Sequence, residues 1–362
     1  MPAPIESPTP APVPTGTLNP RPTGFAATWL SLGDWAPDST HLLVDDVGGG
    51  DVLDAAGVEL WGFDAWETGW LGPTTIGAAG KSGPGAALET VRLYDLSGSQ
   101  TGEISTVFES VVYGGGHDVF AGTYPGNGDF AQGGTFSIWN GATVSPPQAG
   151  NALAWSADGT RLAILLPPWT NEKVAMDGRL AIVDGTGKQV FALDGWYGST
   201  LGDYKFSPDG RYLTACLTRD TNQIEQGAVV DTETAQVTVL GGACSGLAWT
   251  NDPAVYAPST GLGEKWLRWT PADGAARIPN VSSDAVVFAA PNGNIATWSS
   301  AQPAMLDLVV NSVSEQRQLP GPLPGDYVIP YVSWRPDGQA LAVVYSLSGH
   351  SDGTYALEMV YV

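Results

Sequence analysis

Phe206-Ser-Pro-Asp-Gly-Arg-Tyr-Leu-Thr-Ala-Cys-Leu217 decides the fold. Pro208 and Asp209 preset a tight turn, Gly210 supplies the positive φ that follows, and the turn joins the strand ending at Phe206 to the apolar run after it. The pattern recurs as Trp35-Ala-Pro-Asp38, Trp155-Ser-Ala-Asp158, Trp249-Thr-Asn-Asp252 and Trp334-Arg-Pro-Asp337, with weaker copies at Tyr113 to Asp118 and Phe288 to Asn292. Counted from acid to acid, with Asn292 included, the steps are 80, 40, 51, 43, 40 and 45 residues.

A period of about 40 to 45 residues is that of a four-stranded propeller blade. Each motif aromatic ends an inner strand. Runs such as Arg161–Leu165, Arg211–Leu217 and Gln339–Val344 read as second strands buried on both faces. Third strands follow in Val91–Asp95, Thr135–Trp139, Arg179–Asp184, Gly227–Asp231 and Lys265–Trp269, and a fourth in Gln236–Leu240. The expected fold is an all-β propeller of four-stranded antiparallel blades. Gly210 is expected to need its positive φ more than Gly98, which sits in a polar loop.

With Phe206–Arg211 the closest match and Trp334–Gly338 the next, the chain resembles the TolB-like, WD40-like propellers built on a Pro-Asp repeat, over residues 31–362. The resemblance implies the propeller far more specifically than any activity. Such blades occur in scaffold proteins, in periplasmic assembly factors and attached to peptidases. Neither the separate amino-terminal domain of TolB nor a peptidase hydrolase domain has a counterpart here.

The wide first step leaves two blade counts open. Seven blades with an irregular insertion at about 47–87 is the preferred reading, because Gly77-Ala-Ala-Gly-Lys-Ser-Gly-Pro-Gly85 is a poor strand core. Eight is the alternative, with Val58–Phe63 as the third strand of a first blade. The last blade stops at Val362 after three strands, so its fourth is expected from the amino-terminal side, near Phe25 to Leu30.

Residues 1–23 hold eight prolines among Ala, Thr and Ser and read as an extended linker, with a single propeller domain over 24–362. A Pro/Thr-rich spacer ahead of a propeller suits a mature secreted or lipid-anchored bacterial protein, so an extracytoplasmic location is expected, with any membrane tether lost from the amino terminus. No stretch approaches the about 20 apolar residues of a membrane helix. With 37 acidic against 15 basic residues, the chain repels phosphate backbones, and nucleic acid is not expected as a partner.

Cys216 falls late in a second strand and Cys244 just before the next first strand, positions that share one face. They form either a disulfide closing a long loop or two buried thiols. Asp45, Asp46, Asp51 and Asp54 cluster around glycines and are candidate oxygen ligands for Ca2+, against the plainer reading of a loop between strands. His41 and His117 sit at motif turns and read as structural; no nucleophile elbow or metalloprotease helix is present. No catalytic residue is assigned and no other cofactor is expected.

Trp35, Trp155, Trp249 and Trp334 occupy the repeat's aromatic position and belong to the core. Trp61, Trp66, Trp70, Trp169 and Trp196 do not fit the repeat as read. They are candidates for a ligand-binding channel mouth on the face that carries the loops after second strands, with packing between blades as the alternative. The chain therefore reads as a non-catalytic scaffold for protein or glycan partners. A glycan lyase or hydrolase with its site over the channel is the competing class, and it requires two carboxylates, or a carboxylate with a histidine, facing one pocket.

Overall fold

The motif turn closes identically in its clearest copies. The computed structural model describes residues 21–27, 30–46, 49–65, 67–81, 88–124, 134–167, 177–199, 202–219, 225–241, 244, 246–258, 266–278, 281, 285–299, 302, 305–310, 313–318, 331–346 and 355–362. Ser207 N–H donates to the Tyr212 carbonyl at 2.8 Å and Gly210 N–H to the Ser207 carbonyl at 2.7 Å, with matching pairs at Ala36/His41, Ser156/Arg161 and Arg335/Ala340. Gly159, Gly210 and Gly338 take φ of 64, 69 and 66°, and Ser39 holds the same position in the first copy at 66°. The acid closes the turn from outside: Asp209 Oδ1 accepts from the Ser207 hydroxyl and from Arg211 N–H.

Among the described residues the strands form seven antiparallel sheets, six of four strands and one of eight. The eight-stranded sheet is two consecutive meanders run together. The 11-residue strand Gln189–Ser199 extends far enough for Tyr197 and Gly198 to pair with Thr218 and Leu217. By meander, the units are residues 30–63, 67–108, 110–149, 151–199, 205–239, 248–277 and 285–318, numbered one to seven, and 331–361 as the eighth. The fourth strand of unit eight is Arg21–Ala27, which pairs with Tyr355–Tyr361 from Arg21 opposite Met359 to Ala27 opposite Tyr355. The ends of the chain thus share one sheet. That strand takes in residues 21–23, expected as linker, whereas Leu30 opens unit one. Residues 1–20 lie outside the described residues.

Among the described residues eight apolar clusters hold the units together, and each spans one pair of neighbours, including units eight and one. Middle strands touch a cluster on each face. Leu162 and Ile164 point to unit three while Ala163 and Leu165 point to unit five. This two-sided burial is why Arg161–Leu166 and Tyr212–Thr218 read as continuous apolar runs rather than alternating ones.

The segment 47–87, expected as an irregular insertion, forms regular strands over its described residues. It supplies Gly49–Asp54 and Glu59–Phe63 to unit one and Glu67–Trp70 and Thr75–Lys81 to unit two. Its glycines serve packing: a methyl group added at Gly69 or Gly77 would collide with the ring of Tyr113, which lies across both from unit three. A run that looked too poor in side chains for a strand is lean because a neighbouring ring takes the space.

Candidate functional site

Trp35, Trp70, Trp155, Trp249 and Trp334 each end a first strand, and each indole N–H reaches a carbonyl of the preceding unit. Trp35 donates to Ser333 at 3.2 Å, Trp70 to Asp34 at 2.8 Å and Trp155 to Val112 at 3.1 Å. Trp249 donates to Lys205 and Trp334 to Phe288, both at 2.9 Å. The acceptor is always the residue before the neighbour's motif position, and in unit seven that position is Ala289 rather than Phe288. The amphipathic indole fills the seam with its ring and satisfies a backbone carbonyl with its N–H.

Trp70 is thus the repeat aromatic of unit two, 2 % exposed. Its turn went unrecognised because it lacks the acid and is one residue shorter, with Leu71 N–H bonding Thr75 rather than the residue after it. Trp61 lies on the fourth strand of unit one, where it packs against Phe63 and Tyr94 and donates to the Leu96 carbonyl at 3.0 Å. Trp196 lies on the fourth strand of unit four, half-buried, with the Arg219 guanidinium 4.5 Å above its ring. Fourth strands are outermost in their meanders, so neither of these rings reaches the channel mouth. Trp66 and Trp169 lie outside the described residues.

The aspartates proposed as calcium ligands are dispersed along a hairpin. Asp45 stands opposite Gly50 and Asp46 opposite Gly49, while Asp51 faces Val44 and Asp54 faces His41 at the far end. Asp54 Oδ1 accepts the N–H groups of Ala56 and Val58 at 2.8 and 2.9 Å, closing a turn, and Asp45 accepts from the Thr68 hydroxyl at 2.8 Å. Among the described residues, only Cys216, Glu225 and Cys244 bring three ligand-type atoms within 4.8 Å. His117 bridges two turns, its Nε2 2.7 Å from the Ala157 carbonyl, and His41 lies beside the Thr40 hydroxyl at 2.6 Å.

A cavity of about 540 Å³ opens where the first strands of units eight, one, two and three end. Asp34, Thr68, Val111, Val112 and Ser333 line it, together with the indoles of Trp35, Trp70 and Trp334. Pro37, Pro291 and Pro336 form its rim from the motif turns. It therefore opens on the face of the Pro-Asp turns, the opposite end of the strands from the face expected to carry the binding rings. Tyr113 closes its floor, donating to the Glu67 carbonyl at 3.2 Å. Burial, reinforced by the charges of Glu67 and Asp45, pushes its phenol well above the ordinary tyrosine range, so it stays a proton donor. Glu67 is engaged in turn by Val111 N–H at 2.7 Å. Asp34 is the exposed carboxylate of the lining.

Around this mouth the first turns present Asp38, Asp118, Asp158, Asp209, Asp252 and Asp337, all exposed. Asp337 pairs with Arg335 at 2.8 Å; the other five make no ion pair among the described residues. The turns between third and fourth strands reach the same face and add Asp95 and Asp184. Hydrogen bonds from Ser97 and Thr186 hold these two below the usual carboxylate range. Burial pushes Asp158 up, but bonds from Ser156 and Thr160 outweigh it and keep this carboxyl low as well.

No protein-family model matches the chain, and no curated protein matches it by sequence. Solved structures do match. BamB from Moraxella catarrhalis is similar at 13% identity and a TM-score of 0.52 over 91% of this chain and 95% of its own. An oligogalacturonate lyase in complex with manganese is similar at 13% identity and 0.54, over 96% of both chains. The Dos1 propeller is similar at 12% identity and 0.53, over 93% of this chain and 96% of its own. At such identity the likeness is one of fold. The chain is a β-propeller.

Proposed function

We propose that this propeller is a non-catalytic binding module whose ligand enters the channel mouth on the turn face, and that the ligand is an extended, basic segment of a partner protein. The carrying observation is the lining of the cavity: among the described residues it is made of prolines, valines and indole rings around one exposed carboxylate, Asp34, and holds no histidine. An acid–base site requires two ionisable groups converging on one substrate, whereas this lining offers apolar contact and one charge. The surrounding aspartates favour a cation-bearing partner and repel acidic glycans and nucleic acids. The recurrent Pro-Asp turn supports membership of the Pro-Asp-repeat propellers, and the Cys216–Cys244 bridge supports an oxidising, extracytoplasmic setting in a bacterial cell. Among the described residues no helix is long and apolar enough to cross a membrane.

The test is a binding panel on the intact protein: an unstructured peptide bearing lysine and arginine, its glutamate counterpart, and neutral and uronate oligosaccharides, each at low and high salt. Binding of the basic peptide that weakens with salt is expected. Capture of an oligosaccharide with no response to the basic peptide would replace the protein partner with a glycan.

A further inference from the structure

Unit eight buries a carboxylate where the two ends of the chain meet. Glu358 lies in the middle of Tyr355–Tyr361 and is the one acidic or basic side chain fully buried among the described residues. Among those residues neither of its carboxyl oxygens has a hydrogen-bond partner. An unpaired carboxylate cut off from water is tolerated as the neutral acid far better than as the anion.

Alternate residues of the strand face different neighbours. Tyr355, Leu357 and Met359 enter the seam with unit one, whereas Ala356 and Val360 enter the seam with unit seven. Glu358 shares the second face. Unit seven meets that face with Trp298, Leu306 and Leu308, and unit eight adds Val343, which stands opposite Glu358, and Tyr345. Neither half of the seam offers the carboxylate a cation. Tyr345 is a phenol that burial and the Glu358 charge keep protonated. Arg317 and Glu315, in register with Leu306 and Leu308, are paired with each other at 2.6 Å, and Asp307 alternates to the other face.

The amino-terminal strand Arg21–Ala27 is the weakest part of the enclosure. It pairs with Tyr355–Tyr361 at Arg21 and Pro22 and again at Ala26 and Ala27, with the register broken between. Pro22, the residue opposite Glu358, has no N–H to give, and Arg21 stands opposite Met359 instead. On its other side Tyr355–Tyr361 pairs with Ala340–Ser346 without a break.

We infer that Arg21–Ala27 is a proton-operated strap on the ring. With Glu358 neutral the strand stays paired and closes unit eight. Once ionised, Glu358 gains water by releasing the strand, and the other three strands of the unit stay folded. Burial raises this carboxyl from 4.5 to about 7, so the closed form holds a proton that the open form gives up. Closure is therefore strongest below about pH 4.5, weakens as pH rises toward 7 and changes little above.

Hydrogen exchange of the full chain, read by mass spectrometry at pH 5 and 7.5 and corrected for the intrinsic pH dependence of amide exchange, tests the strap. Wild type should lose protection in peptides covering residues 21–27 by about tenfold or more between the two pH values, with units two to six unchanged. Glu358→Gln should keep the strand protected at both, and Glu358→Leu repeats the test without a buried amide. Equal protection of residues 21–27 at the two pH values in wild type, a loss that persists in both variants, or a loss shared by every unit would each overturn the inference.

Discussion

The indole N–H of Trp70 bonds the carbonyl of Asp34 at 2.8 Å, and the same Asp34 lines the cavity. One residue therefore belongs both to the seam between units one and two and to the proposed site. The ring of indole contacts that holds the units in register also sets the shape of the channel mouth.

Trp70→Phe keeps most of the apolar ring and removes only the donor, leaving a carbonyl at the seam unpaired. It should cost about 1–3 kcal/mol in denaturant titrations. Trp61→Phe should cost less, because this indole sits on an outer strand and bonds the Leu96 carbonyl in a turn, where water can replace the donor. Equal losses would contradict the structural ranking of the two residues.

Glu358 is fully buried in the third strand of unit eight, Tyr355–Tyr361, and among the described residues neither carboxyl oxygen has a hydrogen-bond partner. Burial pushes its pKa from 4.5 up to about 7. Tyr345, two residues along the neighbouring strand from Val343, which stands opposite Glu358, is pushed up to about 12 by burial and then by the Glu358 charge. The folded chain thus holds a proton that the unfolded chain releases. This group's contribution is intact below about pH 4.5, is lost progressively as pH rises toward 7, and stays lost above. Glu358→Gln should accordingly be more stable than wild type above pH 7, with the gap closing toward pH 4.5. Parallel pH profiles of melting temperature for the two proteins would contradict this.

Reduction of the Cys216–Cys244 bridge should lower stability by about 3–4 kcal/mol, the chain-entropy value for a loop of this length. Paired denaturant curves of oxidised and reduced protein measure it. Coincident curves would mean that the loop carrying Cys244 is held by its Asp203 contacts alone.

Gly210 and Gly98 take φ of 69 and 82°. Valine at either position should cost about 1 kcal/mol or more from backbone strain. The expectation that Gly98 needs its positive φ less than Gly210 meets a physical obstacle: Gly98 occupies the turn between third and fourth strands with a positive φ of its own, where an added side chain would also press on Trp61 at 3.0 Å. Calorimetry on the two variants distinguishes a shared requirement from a local one.

Those outcomes mark where the sequence was legible. Five copies of the motif could be read at Trp35, Trp155, Phe206, Trp249 and Trp334 because turn chemistry is local: the aromatic and the acid fall within four residues. Unit two could not, since its shorter turn keeps Trp70 and discards the acid, and its second strand is thinned by glycines whose purpose lies in Tyr113 of another unit. The cysteine pair could be placed from strand position. The cavity was invisible for a related reason. Its lining comes from residues preceding the motif aromatic, such as Asp34, Thr68 and Val112, which share no residue type and meet only when neighbouring first strands converge.

The most direct test of the central claim is calorimetric titration of the basic peptide into wild-type protein and into Asp34→Arg. Asp34 is exposed, and its seam contact is made through its backbone carbonyl, so the substitution should leave the melting temperature unchanged. Binding through the channel mouth predicts at least a tenfold weaker Kd for the variant, together with a shallower salt dependence. An unchanged Kd in a folded Asp34→Arg protein would contradict the assignment of the turn-face channel mouth as the binding site.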